Sequence, residues 1–448
     1  MPTGDIMKPR EWFLANADPD TRVPYLDEVK WKKLNEHYTK DEIITGLVEH
    51  IVNTKPEFPY GPRHSKLEIR EMFLEVKARD SVKECLIPRS KMPEVFEKFE
   101  DYGRKYETHG IGVIDCHGSA NPISDYFQFT NRHSCGSYGF ESPLDRWNKN
   151  GKLDKLFMAL WRMGISDLIP SSYRACFQLN SYVATQFKPE VAKIMYNLFQ
   201  AQDVLDTSCG WGDRLAGFYL SNAKSYTGTD PNPATFEVYK KQAHFYEEWC
   251  LGTDAKDIRY LAGPDWFRII GQKDVTIYRS ASEDLTQMDY GIESRDILFT
   301  SPPYFSTERY AEGTEKSSDQ SWSRYDSYEK WRDGYFFRML DKSWEAIRPG
   351  GYLCINLMDP KIKTQRYYAS DDFIDYLIKK PNTNFVGLIG MAIQQRPKKM
   401  ESEEALNVHM NRCYIEPVWV LQKTNGMNAL NTLDIELTCK PSSISDFF

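Results

Sequence analysis

Residues 203–220 read DVLDTSCGWGDRLAGFYL, and this stretch decides the fold. A short apolar run ends in Asp206, a loop of small residues carries Gly210 and Gly212, and a helical pattern begins near Asp213. Glycines in such a loop let the backbone approach a ligand closely, because no Cβ stands in the way. The stretch therefore predicts a strand, a ligand-binding turn and a helix in succession.

From about residue 166 onward, short apolar runs that are typical of strands alternate with helical stretches. Helices between successive strands favour a mainly parallel sheet that is covered on both faces. The sequence therefore predicts an α/β domain over residues 166–424, preceded by an irregular domain over residues 1–165 and followed by a flexible tail over residues 425–448. The predicted strands are Val204–Asp206, Ser225–Gly228, Val275–Tyr278, Ile297–Thr300, Tyr352–Asn356, Phe385–Ile389 and Val418–Leu421.

Acidic residues follow the first three predicted strands: Asp206, then Asp230, then Glu283 or Asp284. In doubly wound sheets ligands bind at the carboxyl ends of the strands, and an acidic residue after the second strand takes a ribose diol. Taken singly, each of these residues is equally explained as a helix cap or a turn former. Together they predict a pocket for a cationic ligand with an amine and a diol, which describes S-adenosylmethionine.

The composition is that of an ordinary globular protein of 448 residues, with a net charge of −7. Proteins that grip nucleic acid without sequence preference are usually basic, so any nucleic-acid contact here has to be local. The nine cysteines form no C-x-x-C pair, and the Cys and His residues match no zinc spacing, so no metal is predicted. No signal peptide or membrane span is recognisable, which predicts a cytoplasmic location away from membranes.

A second motif lies in residues 296–305, DILFTSPPYF, where an apolar run ends in Ser301, two prolines and Tyr304. This loop resembles the [D/N/S]-P-P-[Y/F/W] loop of S-adenosylmethionine-dependent amino-methyltransferases of DNA. The segment Asp206–Gly212 is similar to the cofactor loop of that family, with D-T-S-C-G-W-G in place of the usual D-P-F-x-G-x-G. The resemblance spans roughly residues 170–422. It implies a Rossmann-like class I methyltransferase fold, with a mainly parallel seven-stranded sheet and an N-terminal mixed or α-rich domain.

The resemblance also implies how the S-P-P-Y loop works. An exocyclic amine of a base is a poor nucleophile, since its lone pair is conjugated with the ring. The side chain of Ser301 and the carbonyl of Pro302 would each accept one amine hydrogen, and Pro302 and Pro303 would fix the direction of that carbonyl in advance. Tyr304 would stack on a target base that has left the helix. The methyl group then passes directly to nitrogen, without a covalent intermediate.

The cofactor site that follows from the resemblance and from the strand ends comprises several segments. Phe187 and Pro189, at the start of a helix before the first strand, resemble the family segment that packs on the methionine end of the cofactor; an ordinary proline-initiated helix explains them nearly as well. The full set of predicted cofactor-binding residues is Asp206, Thr207, Gly210, Gly212, Asp230, Glu283, Asp284, Phe187 and Pro189.

Several alternatives remain open at this point. The acceptor is cytosine N4 or adenine N6 in DNA, with RNA, a modified nucleobase or a small amine as a second possibility, and a non-catalytic protein that binds cofactor and DNA or a clamp as a third. A DNA enzyme would belong to a restriction-modification or replication-linked setting, and target recognition would fall to residues 1–165 or to 246–271. Near the carboxyl terminus, Ile444, Phe447 and Phe448 resemble peptides that dock on DNA sliding clamps, unless they pack on the protein's own core.

Overall fold

The computed structural model describes residues 8–92, 94–96, 103–107, 109–116, 118–137, 140–149, 152–307, 309–310, 318, 320–393 and 414–425. The predicted clamp-docking residues Ile444, Phe447 and Phe448 lie outside these residues. The chain divides into two compact units. The first comprises Met1–Arg63, Phe129–Thr185 and Arg309–Ser317, and the second comprises His64–Gln128, Gln186–Glu308 and Ser318–Phe448.

The second unit contains one large sheet and a small hairpin. The sheet has eleven strands in the order β1-β2-β12-β13-β9-β8-β3-β4-β7-β6-β5, and β10 pairs with β11 alone. The strands are β1 Leu86–Pro88, β2 Gly110–Ile114, β3 Asp203–Asp206, β4 Ser225–Thr229, β5 Arg259–Ala262, β6 Trp266–Ile270, β7 Asp274–Tyr278, β8 Arg295–Thr300, β9 Ile347–Asn356, β10 Lys361–Ile362, β11 Gln365–Arg366, β12 Thr383–Ile393 and β13 Tyr414–Lys423.

The seven central strands all coincide with predicted ones and run β12-β13-β9-β8-β3-β4-β7 across the sheet. Neighbours are parallel from β9 to β7, and β13 is antiparallel to both β12 and β9. This order, with β3 and β8 adjacent at the centre and one antiparallel strand near the edge, is that of the Rossmann-like class I methyltransferase fold. The predicted fold class is therefore confirmed.

Four further strands extend the seven-stranded core, two at each edge. The hairpin of β5 and β6 pairs antiparallel with β7, and β2 pairs parallel with β12 while β1 pairs antiparallel with β2. None of the four had been predicted. All four residues of β5 are exposed, β1 contains Pro88, and β2 contains two glycines, so these three segments lack the apolar runs that mark the central strands. β6 is different: four of its five residues, WFRII, are apolar, so a strand signal was present there and was missed.

Helices cover the faces of this sheet and make up most of the described part of the first unit. The α-helices are Pro9–Ala15, Glu28–His37, Lys40–Thr54, Lys66–Ala78, Ser81–Cys85, Asn121–His133, Pro143–Asn148, Leu153–Arg162, Pro170–Asn180, Pro189–Leu198, Asp213–Leu220, Pro233–Phe245, Gln287–Tyr290, Ser321–Arg324, Tyr328–Trp331, Phe337–Ala346 and Ala369–Leu377. π turns occupy Tyr246–Cys250 and Arg332–Phe336, and 3₁₀ turns occupy Arg89–Lys91, Ala255–Asp257 and Ser282–Asp284.

The first unit has a core of its own, built from buried side chains of its helices such as Leu34, Leu47, Phe157 and Tyr173. The domain boundary expected at residue 165 falls inside this unit. Residues 64–128, expected in the N-terminal domain, belong to the sheet-containing unit, because β1 and β2 pair there.

The apolar side chains of the sheet separate into two buried clusters, as the alternation of a strand requires. Along β8, for example, Ile297 and Phe299 belong to one cluster and Leu298 belongs to the other. Both faces of the central strands are thus covered, which leaves the strand ends as the places where loops meet ligands.

Candidate active site at the carboxyl ends of the central strands

The glycine loop lies between β3 and the helix Asp213–Leu220, as predicted. Gly210 and Gly212 both adopt left-handed backbone conformations, with φ of +58° and +72°, that disfavour any residue with a Cβ. A Cβ at Gly212 would overlap the side chain of Gln242, whose Nε2 donates to the Gly212 carbonyl at 2.9 Å. Here the requirement for glycine is therefore both conformational and steric.

Asp206, at the end of β3, is fully buried and is committed to the protein's own donors. Its Oδ2 accepts from Arg214 Nε at 2.9 Å and from the Tyr226 hydroxyl at 2.7 Å, and its Oδ1 accepts from the Ser208 amide at 3.1 Å. Although burial disfavours the guanidinium charge, the adjacent Asp206 raises the pKa of Arg214 above its ordinary value. Asp206 therefore stabilises the conformation of the glycine loop through these hydrogen bonds. A direct contact between Asp206 and the cofactor stays a prediction.

Asp230 follows β4 and ties the second strand end to the glycine loop. Its Oδ2 accepts from the Gly210 amide at 2.8 Å, and its Oδ1 accepts from the Asn232 amide at 3.0 Å and the Thr235 hydroxyl at 3.3 Å. Burial raises the pKa of Asp230 to about 6, against these stabilising hydrogen bonds. The Tyr239 hydroxyl also interacts with this carboxylate, so the protein's own donors account for most of its roughly four lone-pair positions, and a contact with a ligand hydroxyl stays a prediction.

Glu283 and Asp284 follow β7, but their environments differ. Glu283 is buried and Asp284 is exposed, and Arg324 bridges them with N–O distances of 2.8 Å and 2.9 Å. Oε1 of Glu283 also accepts from the Tyr325 hydroxyl at 3.1 Å, whereas its Oε2 is buried without a hydrogen-bond partner among the described residues. Burial raises the pKa of Glu283 despite the charge of Arg324.

A pocket of about 450 Å³ opens between the ends of β4 and β7. Its walls come from the loops after these two strands and from the segment that carries Arg324: Pro231, Pro233, Arg279, Ser280, Ala281, Asp284, Ser318 and Arg324. The pocket is lined by Asp284 and by Pro231, the residue after Asp230, and its occupation by the nucleoside end of a cofactor stays a prediction.

The segment that carries Phe187 and Pro189 is held against the glycine loop by Asp213. The Asp213 carboxylate accepts from Gln186 Nε2 at 2.9 Å and from the Phe187 amide at 3.2 Å. The Arg214 guanidinium carbon lies 5.3 Å from the centre of the Phe187 ring. Pro189 is buried at the first turn of the helix Pro189–Leu198. Phe187 therefore lies beside the helix that follows the glycine loop, and its packing on the methionine end of the cofactor stays a prediction.

Thr300 connects the S-P-P-Y loop to the glycine loop. The hydroxyl of Thr207 donates to Thr300 Oγ1 at 3.1 Å, and both side chains are buried. The contact follows from the parallel pairing of β3 with β8, where Leu205 lies opposite Leu298. The two predicted loops are thus adjacent at one edge of the sheet.

Ser301 is oriented by Asn356, the last residue of β9. Ser301 Oγ donates to Asn356 Oδ1 at 3.0 Å, while Asn356 Nδ2 donates to the Pro417 carbonyl at 3.0 Å, which fixes the orientation of the amide. Because the Ser301 hydroxyl donates its hydrogen to Asn356, its oxygen lone pairs can accept hydrogen bonds from other donors. Likewise, no described residue donates a hydrogen bond to the carbonyl of Pro302.

Tyr304 is only 6% exposed, and its hydroxyl lies among polar groups. Its single hydrogen has two acceptors within reach, Asn356 Oδ1 at 2.9 Å and Glu416 Oε1 at 3.3 Å, and the hydroxyl oxygen lies 3.2 Å from Ser301 Oγ. Stacking on a base would need a more accessible ring, so this role stays a prediction. The next residue, Phe305, has φ of +49° and packs against Tyr328 and Trp331.

Sequence reasoning missed Asn356, Glu416, Arg214 and Arg324. Arg214 could have been predicted, because it lies just after the glycine loop in an otherwise apolar helix. An arginine in such a helix needs a buried acidic partner. Asn356 and Glu416 come from strands distant along the chain and Arg324 ends the short helix Ser321–Arg324, and only the fold brings these three residues to the site.

The chain matches no protein-family model and no curated protein sequence. Among solved structures it is similar to an S-adenosylmethionine-dependent O-methyltransferase from Thermotoga maritima, with 14% identity over 58% of this chain and 73% of that one and a TM-score of 0.29. It is also similar to an rRNA methylase from Streptococcus thermophilus, with 13% identity over 54% of this chain and 99% of that one and a TM-score of 0.28.

A third similar structure is Trm1 from Pyrococcus horikoshii in complex with S-adenosyl-L-methionine, with 13% identity over 54% of this chain and 57% of that one and a TM-score of 0.32. Given these low scores, the fold assignment rests on the strand order of the sheet. In the described ranges, no group of three His, Cys, Asp or Glu side chains is arranged to hold a metal ion. Nor does any helix of the described residues have the length and apolar character needed to cross a membrane.

Proposed function

We propose that this protein is an S-adenosylmethionine-dependent methyltransferase that acts on an exocyclic amine of a nucleic-acid base, with cytosine N4 or adenine N6 of DNA as the acceptor. The observation that carries the proposal is the contact between Thr207 and Thr300, which places the glycine loop beside Ser301-Pro302-Pro303-Tyr304. A donor of a methyl group and an acceptor of amine hydrogens are then neighbours at one edge of the sheet.

The residues at this edge fit the cofactor. The pocket after β4 and β7 has room for an adenosine group, and Asp230, next to this pocket along the chain, is the acceptor that we assign to a ribose hydroxyl. Glu283 Oε2 is buried without a partner among the described residues, which is expensive unless a ligand or water supplies a hydrogen. When bound, S-adenosylmethionine supplies an electrophilic methyl group on a sulfonium.

The chain's own contribution is to prepare the amine. Ser301 Oγ is held as an acceptor because its hydrogen goes to Asn356, and Pro302 offers its carbonyl without competition from a described donor. Two acceptors that each take one amine hydrogen draw the nitrogen out of conjugation with the ring and expose its lone pair. Such acceptors assist most when they are fixed before the reaction, and the two prolines and Asn356 fix them.

The base must reach Ser301, which is half-buried next to the buried ring of Tyr304. Extrusion of a base from a duplex is the usual solution when chemistry is performed on its ring or amine. In this proposal the base enters beside Ser301 and the chain around Tyr304 opens to receive it. The helical first unit and the segment 246–271, which forms the edge hairpin, are the candidates for contacts with the surrounding nucleic acid.

RNA is the second candidate acceptor, because bases in its single-stranded segments are already unpaired and could reach the half-buried Ser301 without extrusion from a duplex. The discriminating experiment incubates the protein with labelled S-adenosylmethionine and, separately, with duplex DNA, single-stranded DNA and RNA, followed by digestion and identification of the modified nucleoside. N4-methylcytosine or N6-methyladenine from DNA supports the first candidate. A methylated amine found only in RNA selects the second, and methylation at carbon or oxygen contradicts the proposal.

A further inference from the structure

Tyr304 carries a hydroxyl group that stacking on a base does not require. The family motif allows Tyr, Phe or Trp at this position, so stacking needs only an aromatic ring. A buried phenol without partners would be costly, yet here it is surrounded by Ser301 Oγ at 3.2 Å, Asn356 Oδ1 at 2.9 Å and Glu416 Oε1 at 3.3 Å. The hydroxyl therefore connects the serine to a carboxylate.

Glu416 lies near the start of β13, opposite Met391 of β12, and Pro417 next to it accepts from Asn356. Among the described groups, its only hydrogen-bond donor is Tyr304. Methylation of an amine leaves the product nitrogen with one proton too many, and a site that encloses the amine has to give that proton a way out. A carboxylate two hydroxyls away from the amine is a suitable destination.

We infer that Ser301, Tyr304 and Glu416 form a proton path that carries the released proton from the substrate amine to the Glu416 carboxylate. The inference rests on the proposed function. As the N–CH₃ bond forms and the S–CH₃ bond breaks, nitrogen becomes positively charged. It gives a proton to Ser301 Oγ, the Ser301 hydrogen passes to the Tyr304 oxygen, and the Tyr304 hydrogen passes to Glu416 Oε1. Charge is conserved, because one cationic nitrogen and one carboxylate become a neutral amine and a carboxylic acid.

Before the reaction, Asn356 orients the two hydroxyl groups of the proton path. Its Oδ1 accepts from both Ser301 and Tyr304, so each hydroxyl has one acceptor that keeps it oriented and a second acceptor along the path. The chain of hydrogen bonds becomes continuous when the Ser301 hydrogen turns from Asn356 to the Tyr304 oxygen and the Tyr304 hydrogen turns from Asn356 to Glu416. Asn356 is therefore a positioning residue for this path.

The buried and uncharged surroundings of Glu416 favour its role as a base. Burial raises the pKa of Glu416, and the hydrogen bond from Tyr304 opposes that shift. Met391 and Asn356, on the strands beside β13, carry no charge. Lys188 contacts the neighbouring strand β12, but its Nζ donates to the backbone there, to the Ala392 carbonyl at 2.9 Å. A carboxylate with a raised pKa accepts a proton more readily than an ordinary one.

The test is single-turnover methyl transfer with the full chain, S-adenosylmethionine and the nucleic acid on which the wild type is active, measured from pH 5 to pH 9. We expect Glu416→Gln and Tyr304→Phe each to slow transfer about 100-fold, the scale of a lost acid–base group, without weakening S-adenosylmethionine binding. The wild-type rate should fall at low pH as Glu416 becomes protonated, and Glu416→Gln should lose this acid limb. Glu345→Gln, which alters an exposed glutamate without a hydrogen bond or ion pair to a described residue, is the matched control.

Each outcome decides the matter. A wild-type rate in both variants, or an unchanged acid limb in Glu416→Gln, overturns the proton path while leaving the methyltransferase intact. If the wild type transfers methyl to no nucleic acid, the proposed function is wrong and the path falls with it. Should Glu416→Gln unfold, Glu416→Asp and the wild-type pH profile replace it: an active Glu416→Asp with a shifted acid limb supports the path, and a wild-type rate that is flat down to pH 5 refutes it.

Discussion

The Thr207 hydroxyl donates a hydrogen bond to Thr300 Oγ1 at 3.1 Å, with both side chains buried at the ends of adjacent parallel strands. Thr207 begins the glycine loop and Thr300 precedes Ser301, so this one contact joins the two halves of the candidate site. Any reaction that passes a group from a ligand on one loop to a ligand on the other needs this proximity.

Removal of the Ser301 hydroxyl should impair methyl transfer far more than binding. In Ser301→Ala the amine loses one of its two acceptors, and the loss of one preorganised polar group of this kind typically slows a reaction by about 100- to 1,000-fold. Single-turnover transfer and S-adenosylmethionine titration measure the two quantities. The control is Ser306→Ala in the same loop, because Ser306 makes no side-chain hydrogen bond to a described residue. Equal rates in the two variants would remove Ser301 from the reaction.

Gly212→Ala should destabilise the fold and abolish cofactor binding. A left-handed residue with a Cβ costs about 1–2 kcal/mol, and the overlap with the held side chain of Gln242 adds about 1–3 kcal/mol. Gly252→Ala is the matched control, since Gly252 has the same φ of +72° but open space around its Cβ position. Denaturant unfolding of both variants isolates the steric part. A Gly212→Ala variant no less stable than Gly252→Ala would show that the loop adapts.

Cofactor binding should weaken at low pH through Asp230. In the proposed site the Asp230 carboxylate accepts a ribose hydroxyl, and protonation makes it a weaker acceptor. Because burial raises its pKa to about 6, affinity should be full near pH 8 and fall as pH drops through that value, by about tenfold at pH 5. Calorimetric titration with S-adenosylhomocysteine across this range measures the effect. Asp230→Asn should bind weakly with a flatter pH profile, and a wild-type affinity independent of pH would exclude this role.

Arg214→Met should unfold at lower denaturant concentration, by about 3–5 kcal/mol, because it leaves Asp206 as an uncompensated buried charge. The double variant Asp206→Asn, Arg214→Met removes that charge and should recover part of the loss. Denaturant unfolding of the single and double variants forms the cycle. If the double variant is as unstable as the single one, the ion pair is not the source of the effect.

The central strands could be predicted from the sequence because a strand covered on both faces carries a continuous apolar run, as Ile297–Phe299 does in β8. The edge strands could not be predicted in the same way. β5 is exposed at every position, and β2 is recognisable only through its pairing with β12, far along the chain. No local pattern in residues 64–128 indicates that they belong to the sheet.

The residues of the candidate site divide in the same way, into those with a local sequence signal and those brought in by long-range strand pairing. Ser301, Gly210 and Gly212 stand in loops whose local sequence carries the signal, and the structure brings those loops together. Asn356 and Glu416 carry no such signal, since they lie 52 and 112 residues from Tyr304 along the chain and only strand register aligns them. Roles for Ile444, Phe447 and Phe448 on a sliding clamp stay a prediction, which a pull-down of clamp with Phe447→Ala, Phe448→Ala would test.

The parallel pairing of β2 with β12, in which Ile114 lies opposite Met391, has a consequence for biosynthesis. The ribosome completes β2 about 280 residues before its partner, which at 5–20 residues per second leaves roughly 15 to 55 seconds. During that interval the nascent chain carries the apolar residues Val113 and Ile114 without the strand that later shields them. A recombinant fragment that starts at residue 166 meets the reverse problem, because β12 then has a bare edge open to aggregation.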